Sequence, residues 1–141
     1  MKYDDASWHS GGDFPKDLGD DASFTHTGLY LAWALLVGFA SDDFLDEWDD
    51  SLQALQSRTI SPSQVFKDMD GKLIDEDLSD EGNDFTAAYF DFEKGQYLKD
   101  YGEVLSVGLP TMYHVADTWA NFDTLKPVLD RRLEAWRAQR K

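Results

Sequence analysis

Between residues 24 and 40 the chain reads FTHTGLYLAWALLVGFA, with apolar side chains on nearly every face of a 3.6-residue period. That width predicts a helix buried almost all round, with Ser23 or Thr25 as its cap. Residues 43–56 follow a different rule. At about 100° per residue, Phe44, Leu45, Trp48, Leu52 and Leu55 share one stripe, and the acids fall opposite. This predicts an amphipathic helix whose first acids also complement the helix dipole. Ser61-Pro62-Ser63-Gln64 then has the form of a helix start, with Ser61 as cap, Pro62 in the first position and Gln64 closing a capping box. Val65, Phe66 and Met69 would face inward behind it.

Asp70-Gly71 predicts a turn inside an acidic connection, and Ser79 a cap for a helix carrying Phe85, Ala88, Tyr89 and Phe92, stopped by Gly95. Tyr97, Leu98, Tyr101 and Leu105 mark another helix that ends near Gly108 and Pro110. A helical stretch is expected from Met112 to about Asn121. A last helix is expected over 124–140, with Pro127 in its first turn and Leu125, Val128, Leu129, Leu133 and Trp136 inward. Residues 1–22 lack a period and read as loop, with turns at Gly11-Gly12 and Phe14-Pro15. The fold class predicted is mainly α: one domain over 1–141, a helical bundle of about five to six helices. The irregular N-terminal segment would pack on the helical body.

Length and composition agree with that picture. A chain of 141 residues with 42% hydrophobic residues can bury a sizeable core. There is no cysteine, which excludes disulfides, thiol catalysis and thiolate-bound zinc. The apolar run at 29–40 is shorter than the ~20 residues a bilayer span needs, and the N-terminus is acidic where an export signal would be basic. A cytoplasmic protein is expected.

Charge changes the picture more. The formal net charge is −15, and it is uneven: residues 125–141 hold six bases and two acids, against seven bases and 26 acids before them. Such a surface repels nucleic acid and anionic membranes and favours a cationic protein partner. The densest acids, Asp42, Asp43, Asp46, Glu47, Asp49 and Asp50, lie on the amphipathic helix at 43–56 and its threshold. They are the first candidates for partner binding. Trp8, Phe14 and Tyr113 are candidate aromatic anchors, because lasting affinity needs close packing as well as charge.

Sites of turnover are harder to find. In KDMDGKLIDEDL, aligning Gly71 with the glycine of a calcium loop puts Phe66 and Lys72 where ligands belong, so the register fails. A second polar cluster is conceivable from Trp8, His9, His26, His114 and Asp117. His114 and Asp117 are three apart and would share a helical turn. However, no HExxH or other paired ligand motif accompanies them, and His26 reads as a partly buried, satisfied histidine. Phosphate-binding glycine loops and the GxSxG elbow are also missing. Phe85, Tyr89, Phe90, Phe92, Tyr97 and Tyr101 stand among acids and read as core, because base-stacking platforms come with cationic grooves. No catalytic residue, metal or cofactor is assigned.

Four ordered blocks carry a resemblance: KYDDASWHSGGDFP at 2–15, THTGLYLAWAL at 25–35, DGKLIDEDLSDEGNDFTAAYFDFEKGQYLKDY at 70–101 and YHVADTWANFDTLKPVLDRRLEAW at 113–136. Together they resemble a bacterial family of short acidic proteins, a domain of unknown function that is similar to the immunity proteins kept beside polymorphic toxins. The resemblance implies a stoichiometric inhibitor masking the cationic site of a cognate toxin, and it transfers no functional residue. Opposite fields would speed such docking toward ~10⁸–10⁹ M⁻¹s⁻¹ at low salt. The alternatives are a cytoplasmic secretion chaperone, for which a homodimer is compatible, and a His/carboxylate metal-dependent enzyme.

Overall fold

The structure is a computed structural model that describes residues 2–9, 15 and 17–140. The protein is mainly α. In chain order the elements are β1 (Lys2–Asp5), α1 (Thr25–Leu36), α2 (Asp42–Gln56), α3 (Gln64–Asp68), β2 (Lys72–Ile74), α4 (Asp80–Tyr89), α5 (Tyr97–Leu105) and α6 (Trp119–Gln139), with short 3₁₀ turns between them. The expected turns at Gly11-Gly12 and Phe14-Pro15 lie outside the described residues.

Helix α1 is the axis of the core. Leu29 to Leu35 are all buried, as its apolar width requires. It has no side-chain cap, because the 3₁₀ turn Asp20–Phe24 leads straight into it. It also ends earlier than its apolar run: Gly38 adopts φ +95°, a conformation open to glycine, and the chain reverses to bury Phe39. Aromatic rings from α4 and α5 surround the axis. Tyr30 lies 4.6 Å from Phe90 and 5.0 Å from Tyr97, centroid to centroid, so the predicted aromatic core is present. Ala88, expected inward, is exposed, and Phe90 fills that role from just beyond the end of α4.

Helix α2 starts on the Ser41 hydroxyl, which accepts from Phe44 N at 3.0 Å. Phe44, Leu52 and Leu55 are buried, but Leu45, at the edge of the stripe, is turned outward, and Trp48 breaks helical geometry with φ −118° and ψ 21°. The start of α3 also departs from expectation. The helix begins at Gln64 rather than Pro62, and the Ser63 hydroxyl is committed to Asp117 instead of capping. Ser63 also sits so close to Gly28 that a Cβ there would lie 2.3 Å from the Ser63 Cβ. A glycine is what lets α1 and α3 touch.

Asp70 and Gly71 both take positive φ and turn the chain into β2, as the dipeptide suggests. β2 pairs antiparallel with β1, so residues 2–5 form a strand where loop was expected. Periodicity fails to reveal it because the strand is four residues long and its partner lies some seventy residues away. The C-terminal expectations are corrected as well. Met112–His114 is one 3₁₀ turn, after which the backbone extends at Val115. A single helix runs from Trp119, capped by the Thr118 hydroxyl on Asn121 N. Pro127 therefore lies well inside α6, on an exposed face where the carbonyl deprived of its donor can meet water. Among the described residues no helix is long and apolar enough to cross a membrane.

Candidate functional site

The six acids on α2, Asp42, Asp43, Asp46, Glu47, Asp49 and Asp50, are all exposed on one side of the helix. Asp49 accepts from Gln53 at 2.7 Å. Among the described residues none of the six forms an ion pair with Lys or Arg. Seven of the cations are engaged elsewhere: Lys2 on Asp5, Arg58 on Asp123, Lys67 on Asp117, Lys126 on Asp130, Arg132 on Asp100, Arg137 on Glu81 and Arg140 on Asp84.

The acid face continues into a groove of about 390 Å³, in which Glu47, Asp68, Asp70 and Asp77 stand around Trp48, with Lys72 at the rim. Asp77 feels this crowding. Burial first, and then the charges of Glu76, Glu47 and Asp75, raise its pKa against the opposing hydrogen bond from Ile74 N. A cation entering the groove would relieve that repulsion beside Trp48, which lines it.

The second cluster named from the sequence comes together only in part. Trp8 is 57% exposed, with the Lys2 ammonium 5.5 Å from its ring centroid. Phe14 lies outside the described residues. His114 and Asp117 diverge because the backbone extends between them. His114 Nε2 meets Asp17 at 2.9 Å and its Nδ1 meets Thr111, whereas Asp117 accepts from Ser63 N and Oγ and lies 3.5 Å from Lys67 Nζ.

His9 and His26 do converge, and on a residue the sequence did not single out. Asp4, on β1, is fully buried. Its Oδ1 lies 2.7 Å from His9 Nε2, and its Oδ2 lies 3.6 Å from His26 Nε2 and accepts from the Thr27 hydroxyl at 2.5 Å. The two Nε2 atoms are 3.3 Å apart, with the rings edge to face. His26 is thus fully buried, and its Nδ1 has no hydrogen-bond partner among the described residues. Burial, reinforced by His9, pushes its pKa down to about 3 against the pull of Asp4, so the ring is neutral with a lone pair to offer. On the outer side His9 Nδ1 meets the Tyr113 hydroxyl at 3.1 Å, and Phe92 packs against both imidazoles. Asp4 was hidden among 28 acids. The only trace of it in the sequence is that it shares the KYDDASWH stretch with His9.

Chemically, the first site is an exposed anionic surface without Lys or Arg ion pairs among the described residues, and the second is a compact set of one carboxylate and two imidazole donors. No curated protein and no solved structure matches the chain. A family model described as a domain of unknown function (DUF7832) matches residues 2–115, from β1 through Val115, which takes in both the α2 acids and the Asp4–His9–His26 cluster. The chain belongs to that family, DUF7832.

Proposed function

We propose that this protein is a non-catalytic binding protein that holds a cationic protein partner against α2, the partner being a toxin that it neutralises. The observation that carries the reading is the acid face itself: six exposed carboxylates without basic partners among the described residues, leading into the groove beside Trp48. Intramolecular ion pairs engage cations on several other elements but leave α2 unscreened, and that unspent field favours a basic surface. Leu45 and Trp48 supply apolar area within it, so docking need not rest on charges that salt screens within ~8 Å.

A metal-dependent enzyme is the second reading, favoured by the convergence of Asp4, His9 and His26. Capture of partners from the native cell, followed by association rates over a salt series, tests the first. Wild type should associate fast at low salt and progressively slower as salt rises. The quadruple variant Asp46→Lys, Glu47→Lys, Asp49→Lys, Asp50→Lys should be slow throughout and still fold. Equal rates for the two proteins at every salt would remove α2 from the mechanism. A partner held unfolded, instead of folded and inactive, would point to the chaperone reading.

A further inference from the structure

The geometry points to a binding site for one first-row divalent transition-metal ion, of the zinc class, formed by Asp4, His9 and His26. Three elements supply the donors: β1, the end of the 3₁₀ turn Ala6–Trp8, and the first turn of α1. Tetrahedral zinc with nitrogen and oxygen ligands at about 2.0–2.1 Å sets neighbouring donors roughly 3.3 Å apart. Here His9 Nε2 lies 2.7 Å from Asp4 Oδ1 and 3.3 Å from His26 Nε2, which in turn lies 3.6 Å from the other carboxylate oxygen, Oδ2. One donor atom from each residue can be chosen with all three within 4.8 Å of one another. Side-chain adjustment that sets one Asp4 oxygen against both imidazoles converts this arrangement into three corners of such a polyhedron and leaves a further position for water.

The chemistry agrees with the geometry. Asp4 is a fully buried carboxylate with no Lys or Arg against it among the described residues, and a buried charge needs a counter-charge or a metal. Two imidazole nitrogens beside one carboxylate suit zinc or iron, not calcium or magnesium, which prefer all-oxygen shells. The ion takes the place of the hydrogen lying between His9 Nε2 and Asp4 Oδ1; as that proton leaves Nε2, Nδ1 takes one up from solvent, so the imidazole stays neutral and no net proton is released. His9 Nδ1 then becomes the donor toward Tyr113, whose hydroxyl can accept as readily as it donates, so the same contact orients the ring in both states. Thr27 fixes the carboxylate from its other side. The His26 ring also packs edge to face on Tyr101, whose hydroxyl, like His26 Nδ1, is buried without a partner among the described residues.

Equilibrium dialysis of the full chain against zinc, with elemental analysis, tests the site. Wild type is expected to hold one ion per chain and to gain thermal stability with added zinc. The cobalt form should show the intense ligand-field absorption of four-coordination. His9→Ala should weaken binding by more than ~100-fold, beyond the 10–100-fold that loss of an outer partner costs, and Tyr113→Phe should fall within that smaller range. His114→Ala should bind as wild type does. So should a variant with Asp46, Glu47, Asp49 and Asp50 converted to their amides, which separates this site from the acid face. Absence of a stoichiometric ion in wild type, weak octahedral-type cobalt spectra, or undiminished binding in a folded His9→Ala protein would each overturn the assignment. The cobalt spectrum decides the matter even if His9→Ala fails to fold.

Discussion

Asp100 on α5 holds Arg132 on α6 through both carboxylate oxygens, at 2.8 and 2.9 Å, and accepts the Tyr89 hydroxyl at 2.6 Å from α4. One nearly buried carboxylate thus joins three helices. Burial alone would raise its pKa, but the Arg132 and Tyr89 hydrogen bonds win and hold it below the usual carboxylate value. Asp100→Asn should cost about 2 kcal/mol at neutral pH, as hydrogen bonds to charged groups do, read from the urea midpoint. A carboxylate whose folded pKa is depressed stabilises above its unfolded pKa of ~3.9 and loses that contribution as pH falls through the folded value. The gap between wild type and Asp100→Asn should therefore close on acidification below pH ~4. A gap independent of pH would show that the carboxylate's charge contributes nothing.

Two glycines on helices make opposite predictions. At Gly28 a Cβ would lie 2.3 Å from the Ser63 Cβ and 2.8 Å from its Cα, so Gly28→Ala must push α3 away from α1 and should cost roughly 3 kcal/mol. At Gly102 on α5 the nearest atom to a Cβ is the Ser106 hydroxyl at 3.5 Å, an ordinary contact. Gly102→Ala should therefore stabilise by about 0.5–1 kcal/mol through reduced chain entropy. Denaturant titrations of the two variants compare them directly, and similar effects would contradict the close approach of α1 and α3.

Asp77 offers a third test. Its raised pKa means that the folded state binds its proton more readily than the unfolded chain does, so the charged form weakens folding at neutral pH. That penalty is absent below the unfolded pKa of ~3.9 and fully present above the folded one. Asp77→Asn should raise the thermal midpoint at neutral pH, with the gain vanishing near pH ~4. A lower midpoint at neutral pH would mean that the bond from Ile74 N outweighs the crowding by Glu76 and Glu47.

The acid helix was legible because its signal is local. Phe44, Leu52 and Leu55 set the inward stripe within a dozen residues, and the carboxylates had nowhere to go but outward. Leu45 and the irregularity at Trp48 were not legible, since both depend on what α2 packs against. The histidine cluster was half legible. His9 and His26 stood out as rare residue types, whereas Asp4 was one acid among many and became distinct only through burial. His114 and Asp117 looked like a pair only while a helix was assumed between them.

By itself the sequence determined the mainly helical character, the buried axis at α1, the cap at Ser79, and the turn at Asp70-Gly71. Each follows from side-chain chemistry acting over a few neighbouring residues. Tertiary structure alone decided that residues 2–5 form a strand, that α6 begins at Trp119 instead of near Thr124, and that Asp4 meets two imidazoles. Those outcomes depend on contacts between residues far apart in the chain, and the free energy of closing such loops is not written in any local pattern.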